Sequence, residues 1–224
     1  MSTVDLVSFD VYGTLVRFHE GVRGALAASL EERGAPPEML ERLHPYFRAT
    51  QAPLQKGGWR PYAEILSSGL ETALGDFGFS YAPRDGERLV AAVSDAGPFD
   101  EVPAVLAEIK RRTKLMFISN TDDAMIARNV ALIGVEPDYL VTAEQSRLYK
   151  PDHGMFRFAY GRAGVPIEGI THAAAGFFHD IEPAHALGLR RIWINRRGET
   201  GDPAFGPYGE MSDMTRLIAT IWPD

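Results

Sequence analysis

The sequence predicts an α/β protein: a doubly wound parallel sheet with a helical cap inserted after the first strand. Two observations lead to this prediction. From residue 98 onward, short apolar segments alternate with segments of helical periodicity, an order that produces parallel strands joined by right-handed crossovers. Between the first apolar segment and residue 98, every segment has helical periodicity. We therefore predict a core domain of residues 1–15 and 98–224 and a cap domain of residues 16–97.

The predicted cap consists of four helices, and most of their ends coincide with glycine or proline. Glycines follow the first and third helices, and prolines begin the second and third. We place the four helices at residues 20–33, 36–54, 61–74 and 85–93.

The predicted core contains five strands that alternate with helices. The strands are short apolar runs, and several of them end in polar residues. We place them at residues 4–9, 114–120, 139–142, 173–178 and 191–194. The helices are placed at residues 103–112, 122–133 and 153–163, a short helix follows Asp180 and ends near Gly188, and residues 196–209 are predicted to form a loop.

The composition is that of an ordinary globular protein, with 224 residues of which 45% are hydrophobic and 24% charged. A net charge of −7 and the lack of a long basic run argue against nucleic acid or an anionic membrane as a partner. Because the chain has no cysteine, disulfides, thiolate catalysis and cysteine-based zinc sites are excluded. No apolar run approaches the ~18 residues of a spanning helix, and we see no signal-peptide pattern, so we expect a cytoplasmic protein.

The first predicted strand delivers a carboxylate to the edge of the sheet. Asp10 directly follows the apolar segment, and a glycine turn and Thr14 come after it. In an open α/β sheet, ligands bind at the carboxyl ends of the strands, so an aspartate there is presented by a rigid element. Asp10 is therefore a candidate nucleophile or metal ligand. Tyr12 stands two residues later.

Polar groups also follow later strands. In chain order they are Asp10, the pair Ser119 and Asn120, Lys150 before a proline, and Asp180. In this order they resemble the four motifs of the haloacid dehalogenase superfamily, and the resemblance covers nearly the whole chain. The matching segments are residues 10–15 (DVYGTL), 119–120 (SN), 150–152 (KPD) and 177–184 (FFHDIEPA).

The first of these segments is similar to that of the type II (S)-2-haloacid dehalogenases rather than to that of the superfamily's phosphatases. The phosphatases place a second aspartate where Tyr12 stands, and use it to protonate the leaving alkoxide and then to activate water. A phenol with an ordinary pKa of about 10 is a poor base near neutral pH. A departing halide needs no proton, so Tyr12 is compatible with carbon–halogen cleavage.

The resemblance implies a reaction in two steps. Asp10 would attack Cα of a 2-haloalkanoate and expel the halide with inversion, forming an ester. Water would then attack the ester carbonyl, regenerating Asp10 and releasing a 2-hydroxy acid. Lys150 would keep Asp10 ionised and oriented, and Asp180 would help to activate the water. Hydrogen bonds to the substrate carboxylate or to the nucleophile would come from Thr14, Ser119 and Asn120.

By the same resemblance, the cap is expected to supply an arginine for the substrate carboxylate, since a guanidinium fork suits a planar anion. Arg48 is the first candidate and Arg60 the second. His179, next to Asp180, would suit a water-activating base or a donor on the halide side. The other residues expected to contact the substrate are Tyr12, Trp59, Tyr62 and Phe177.

The fourth segment departs from both patterns. The aspartate that binds magnesium in the phosphatases corresponds to Ala175, which argues for a reaction without metal or other cofactor. The dehalogenases place a serine at Ala175, an asparagine at Phe177 and a tyrosine at Phe156, so three polar groups are apolar here.

Two alternatives to the dehalogenase remain open. The first is a Mg²⁺-dependent small-molecule phosphatase that uses Asp10 together with Asp180 as a metal ligand. The second is a non-catalytic or weakly active protein of the same fold that binds small acids. The favoured partner is a small carboxylate, with no nucleic acid and no membrane, and a homodimer remains open.

Structural roles are also expected for three polar residues. Asp180 could cap the helix that follows it, which does not exclude a role in the reaction. Asp122 is expected to favour the start of the helix at 122–133 through the helix dipole. His172 shows no metal-ligand spacing and is expected to be structural or exposed.

Overall fold

The structure is a computed structural model that describes residues 4–223, so residues 1–3 and 224 of the predicted core domain lie outside it. Its centre is a six-stranded sheet in which every neighbouring pair of strands is parallel. The strands are β1 (Leu6–Phe9), β2 (Lys114–Ser119), β3 (Tyr139–Thr142), β4 (Ile170–Ala174), β5 (Arg190–Ile194) and β6 (Gly209–Met211). Their order across the sheet is β3-β2-β1-β4-β5-β6.

The strand order reverses beside β1. This strand pairs with β2 on one side and with β4 on the other, so the two halves of the sheet meet there. In doubly wound sheets, ligands bind outside the carboxyl ends of the strands at this point of reversal. The predicted fold class is confirmed, and the residues that follow β1 and β4 border the expected crevice.

Helices surround the sheet. In the sequence, five helices come between β1 and β2, and we call the first four the cap: α1 (Phe18–Glu31), α2 (Met39–Lys56), α3 (Tyr62–Asp76) and α4 (Pro83–Ser94). The others are α5 (Val102–Arg112), α6 (Asp123–Ile133), α7 (Ala143–Ser146), α8 (His153–Ala163), α9 (Glu182–Ala186) and α10 (Leu217–Ile221). The domain boundaries, after residues 15 and 97, remain predictions.

Both faces of the sheet are covered. Every residue of β1 is buried: Leu6 belongs to one apolar cluster, whereas Val7 and Phe9 belong to the other. Burial on both faces is typical of parallel strands, which read as continuous apolar runs. The cluster of Leu6 extends into the cap through residues such as Phe47 and Leu66. The cap and the sheet are therefore held together by shared burial of apolar side chains.

The fourth strand lies three residues earlier than predicted. The predicted strand covers residues 173–178, whereas β4 is Ile170–Ala174. The start of β4 does not read as an apolar run, because Thr171 and His172 are polar although both are buried. Phe177–Ile181 form a π-type turn that leads into α9, so Asp180 lies in a turn beyond the strand.

The observed ends of the other predicted strands and helices differ from the predicted ends by no more than about three residues, which is the usual uncertainty of element boundaries. Three short elements were not predicted, namely β6, α7 and α10. No helix within residues 4–223 has the length and apolar character that crossing a bilayer requires.

Candidate active site

Asp10 lies at the carboxyl end of β1, and its side chain is buried. The turn after it folds back because Gly13 has a φ of +80°, a conformation that favours glycine. A Cβ at Gly13 would also lie 3.1 Å from Nε2 of His19. The turn brings Thr14 to Asp10, and Thr14 Oγ1 donates a hydrogen bond to Asp10 Oδ2 at 2.6 Å. The backbone N–H of Ala175 donates to Thr14 Oγ1 at 2.8 Å, which ties this turn to the residues after β4.

Lys150 joins two carboxylates. Its buried Nζ donates to Asp10 Oδ1 and to Asp180 Oδ1, both at 2.7 Å, and to the Ile118 carbonyl at 3.2 Å. An ammonium has three protons, so all of them are used. The side-chain amide of Asn120 accepts from the backbone N–H of Lys150 and donates to its carbonyl. The structure thus places Asn120 behind the lysine, where it holds the backbone that carries it.

The charges of these groups depend on one another. Burial disfavours the charged form of Lys150, but the two carboxylates outweigh it and hold the pKa of Lys150 above its ordinary value. Burial also acts on Asp180, yet the charge of Lys150 and the hydrogen bond from His172 bring the pKa of Asp180 below its ordinary value. Burial raises the pKa of Asp10, with Lys150 acting against this and the charge of Asp180 adding to it. Lys150 therefore stays protonated, and Asp180 is the stronger acid.

Behind Asp180 lies a buried row of polar side chains that sequence analysis missed. His172 Nε2 is 3.2 Å from Asp180 Oδ1, and His172 Nδ1 is 2.9 Å from Ser8 Oγ. Ser8 Oγ is in turn 3.0 Å from the Tyr160 hydroxyl. Ser8 and His172 are directly opposite each other on β1 and β4. The available signal was a polar residue in the middle of each of two neighbouring buried strands.

A cavity of about 710 Å³ opens onto Asp10 and is lined by residues of both the sheet and the cap. Sites for small molecules commonly measure about 300–1,000 Å³. Thr14 lies beneath the cavity, in contact with Asp10. The predicted site residues that line the cavity are Asp10, Tyr12, Arg48, Tyr62, Ser119, Asn120, Lys150, Phe177, His179 and Asp180.

Two predicted substrate contacts, Trp59 and Arg60, lie outside this cavity. Trp59 packs beneath the guanidinium of Arg147, whose central carbon is 3.8 Å from the ring centroid. The Arg60 side chain is half exposed and lies 4.0 Å from Glu64. Both residues precede α3 in a segment without helical periodicity, so no pattern in the sequence indicated where their side chains point. The structure therefore does not bring Trp59 and Arg60 together with the other predicted site residues.

Two hydrogen-bond donors in the cavity wall are free to bind a ligand. Ser119 Oγ is buried and has no partner within residues 4–223. Arg48, on α2, forms no ion pair with the described carboxylates, and Glu199 is already paired with Arg197 at 2.5 Å. Partial burial and the charge of Arg197 lower the pKa of Arg48, which nevertheless remains a cation at neutral pH. A free hydroxyl and a free guanidinium in one cavity suit a carboxylate.

Aromatic rings complete the wall of the cavity. The Tyr12 hydroxyl is hydrogen-bonded to Thr121 Oγ1 at 2.8 Å, and burial raises the pKa of Tyr12, so this residue is a neutral phenol. Phe177 packs edge-on against Trp193, with ring centroids 4.9 Å apart. Partial burial lowers the pKa of His179, so its ring is neutral near pH 7. The cavity thus combines charged groups at its base with an apolar wall.

This order of strand-end groups can be compared with known proteins. A model of the haloacid dehalogenase-like hydrolase family matches residues 4–188. The chain belongs to this family. Among its relatives, (S)-2-haloacid dehalogenase of Pseudomonas sp. (strain YL) is 27% identical over 226 residues, covering 99% of this chain and 94% of that protein. Haloacetate dehalogenase H-2 of Moraxella sp. (strain B) is 26% identical over 218 residues, covering 96% of this chain and 94% of that protein.

Solved structures with a similar fold are also known for this haloacid dehalogenase-like hydrolase. L-2-haloacid dehalogenase from Xanthobacter autotrophicus with chloropropionic acid covalently bound has a TM-score of 0.81 at 17% identity, covering 99% of this chain and 100% of that one. The putative HAD-hydrolase YfnB from Bacillus subtilis bound to magnesium has a TM-score of 0.84 at 15% identity, covering 98% and 99%. Such neighbours establish the fold alone, so the choice between reactions depends on the residues of the site.

Proposed function

We propose that this haloacid dehalogenase-like hydrolase cleaves the carbon–halogen bond of small 2-haloalkanoic acids through an ester on Asp10. The observation that carries the proposal is a buried nucleophile with no carboxylic acid at position 12 to protonate a leaving group. Asp10 is 2.7 Å from the Lys150 ammonium, while position 12 holds a phenol of raised pKa that is already bonded to Thr121. A leaving alkoxide would need a proton from that position, whereas a halide does not.

In the first step, a carboxylate oxygen of Asp10 forms a bond to Cα of the substrate. The carbon–halogen bond breaks, and the halide leaves with the electron pair. Ser119 and Arg48 are free donors in the cavity wall, and we assign both to the substrate carboxylate. Lys150 and Thr14 hold the two oxygens of Asp10, which orients the nucleophile.

In the second step, water adds to the carbonyl carbon of the ester. We assign the proton of this water to Asp180, whose lowered pKa keeps it ionised and ready to accept it. The bond between the ester carbonyl carbon and the substrate oxygen then breaks, and the leaving oxygen takes up the proton held by Asp180. The Asp10 carboxyl loses its proton to solvent and is regenerated as a carboxylate, and a 2-hydroxy acid leaves. The names of the two relatives and the covalent chloropropionic acid complex of the Xanthobacter enzyme support this chemistry.

The residues of this site do not fit a magnesium ion. Asp10 and Asp180 would be its acidic ligands, but Oδ1 of each already accepts a hydrogen bond from the same ammonium, that of Lys150, at 2.7 Å. Position 175 adds a methyl group instead of an oxygen ligand. Within residues 4–223, no group of three His, Cys, Asp or Glu side chains is arranged to hold a metal. We therefore expect halide release to be unchanged, within about twofold, by a chelator or by added Mg²⁺.

The test is halide release from a panel of 2-halo acids, including 2-chloropropionate and haloacetate, by the parent chain and by Asp10→Asn. Loss of the nucleophile should reduce turnover by at least roughly 10³-fold. The exposed Asp100→Asn is the matched control and should retain full activity. A single turnover in H₂¹⁸O should place the label in Asp10, because water attacks the ester carbonyl.

Two results would reject the proposal. A parent chain that is inert towards every 2-halo acid, yet releases phosphate from a phosphate ester with Mg²⁺, is a phosphatase. A parent chain that binds 2-halo acids without releasing halide is a binding protein. We further propose small carboxylates as the partner class and the cytoplasm as the setting, and a homodimer can be tested by sedimentation.

A further inference from the structure

The row of side chains behind Asp180 is buried along its whole length. His172 and Ser8 have no exposed surface, Asp180 is 1% exposed and Tyr160 is 4% exposed. The three distances along the row, from Tyr160 to Ser8, from Ser8 to His172 and from His172 to Asp180, are 3.0, 2.9 and 3.2 Å. The ring of Phe156 packs edge-on against His172 with centroids 5.6 Å apart, so the imidazole is fixed in its plane. This row contacts the reaction only through Asp180.

Counting donors and acceptors gives the row a direction. Buried polar groups need partners, and a carboxylate can only accept. If neutral His172 carries its proton on Nε2, it donates to Asp180, and Nδ1 accepts from the Ser8 hydroxyl. Ser8 then accepts from the Tyr160 hydroxyl, so every proton of the row has an acceptor. If Nδ1 were also protonated, Ser8 would donate to Tyr160, and the row would leave the phenol proton without an acceptor.

We propose that His172 is a positioning residue for the hydrolytic half of the reaction: held by Ser8 and Tyr160, it fixes the Asp180 carboxylate so that one oxygen remains free to accept a proton from water. This inference rests on the proposed function, because it assigns the ester hydrolysis to Asp180. His172 itself touches neither the substrate nor the water.

The contacts of Asp180 show how the two oxygens differ. Oδ1 accepts from both Lys150 and His172, at 2.7 and 3.2 Å. These two donors come from different parts of the chain, Lys150 from the turn before α8 and His172 from β4, and together they fix the rotation of the carboxylate. Oδ2 accepts no hydrogen bond from the described residues, and it lies against Gly176, where a Cβ would come within 2.6 Å of it. Without His172, the carboxylate would turn about its bond to the lysine, and Oδ2 would lose its defined position.

The competing explanation is that His172 is only a packed histidine whose hydrogen bonds are satisfied. A purely structural residue would affect both half-reactions, or neither. A positioning residue of Asp180 should affect ester hydrolysis and spare ester formation. The two half-reactions can be measured separately in one experiment, a single turnover with 2-chloropropionate in which the halide burst and the hydroxy acid are both followed.

The test compares His172→Leu with His172→Gln. In His172→Leu, we expect an undiminished halide burst, hydroxy acid formation slower by roughly 10- to 100-fold, and an ester on Asp10 visible by intact mass, since loss of a whole general base commonly costs about 10²–10⁴-fold. The acid limb of hydroxy acid formation should also move to higher pH, because the hydrogen bond from His172 lowers the pKa of Asp180 and is lost. His172→Gln can still donate to Asp180 and should restore most of the rate. The matched control is Thr171→Val. Thr171 is the buried neighbour of His172 on β4, and its hydroxyl has no hydrogen-bond partner among the described residues.

Each outcome has a defined meaning. If the parent releases no halide, the proposed function fails before His172 is tested. If the parent turns over and His172→Leu forms hydroxy acid at the parent rate, or loses the burst to the same extent, the inference about His172 is overturned while the proposed function stands. If His172→Leu does not fold, Ser8→Ala decides the question. It removes only the partner of Nδ1 and should slow ester hydrolysis severalfold with an unchanged burst, and equal rates in Ser8→Ala and the parent contradict the inference.

Discussion

At the scale of single residues, one ammonium group acts on two carboxylates. Lys150 Nζ is 2.7 Å from Asp10 and 2.7 Å from Asp180, so its charge lowers the pKa of both. The outcomes differ because burial prevails at Asp10 and does not prevail at Asp180. The same lysine thus supports a nucleophile and a base that have different acidities.

Removal of the Lys150 charge should narrow the pH range of the enzyme. Halide release needs ionised Asp10, so its rate falls as the pH drops through the pKa of Asp10, which lies above the ordinary value of 3.8. Lys150 lowers this pKa, and Lys150→Met therefore raises it further. The acid limb of kcat/KM should move to higher pH, with a loss of roughly 10²-fold near neutral pH. The shift of the acid limb is measured by following halide release as a function of pH. Lys114→Met, at the exposed start of β2, is the control. An acid limb that does not move in Lys150→Met would contradict the role of the Lys150 charge.

Arg48 and Arg60 provide a second test, since the structure places only Arg48 in the cavity. A hydrogen bond to a charged group contributes about 1.5–3 kcal/mol, so Arg48→Ala should lower kcat/KM by roughly 10- to 100-fold. Arg60→Ala should change it by less than about twofold, because this side chain is half exposed beside Glu64. Steady-state kinetics with 2-chloropropionate decide the matter, and equal losses in both variants would contradict the assignment.

The residues that follow strands were predictable from the sequence, and their partners were not. Asp10 and Lys150 stand out because a strand end or a proline turn marks their positions in the chain. Ser8 and His172 are 164 positions apart and meet only because β1 pairs with β4. That pairing requires the correct register of β4, which sequence analysis placed three residues too late.

At the scale of elements, the core holds the first turn of a cap helix. The backbone N–H groups of Tyr62 and Ala63, at the start of α3, donate to the two carboxylate oxygens of Asp122 at 2.7 and 2.8 Å. From the sequence, we expect Asp122 to favour the start of α6, which it precedes. Asp122 is the N-cap residue of α6, and its carboxylate accepts the first N–H groups of α3, which lack partners within that helix.

Loss of the Asp122 hydrogen bonds to α3 should weaken the attachment of the four-helix cap to the sheet. A helix N-cap contributes about 0.5–2 kcal/mol, and we expect Asp122→Ala to lower the free energy of unfolding towards the upper end of that range. Urea unfolding measures the change. Asp100→Ala is the control, because Asp100 is 96% exposed and its pair with Arg17 should contribute no more than about 1 kcal/mol. If the two variants unfold alike, the Asp122 contacts do not stabilise the folded protein.

At the scale of the whole molecule, the alternation of strands and helices was enough to predict the fold class. The alternation can be recognised in the sequence because most strands are buried on both faces and appear as apolar runs. It fails where polar side chains are buried, as in β4, and where an element is very short, as in the three residues of β6. The direction of the Trp59 and Arg60 side chains was equally beyond prediction, since it is set by packing of the cap on the core.

The sharing of one lysine between two aspartates has a consequence for the catalytic cycle. In the resting protein, Asp10, Lys150 and Asp180 together carry one surplus negative charge in a buried place. When Asp10 becomes an ester it loses its charge, the departing halide carries that charge away, and Lys150 and Asp180 are left in balance. On the proposed pathway, the buried groups of the ester intermediate therefore have no net charge, whereas those of the empty enzyme carry an uncompensated negative charge.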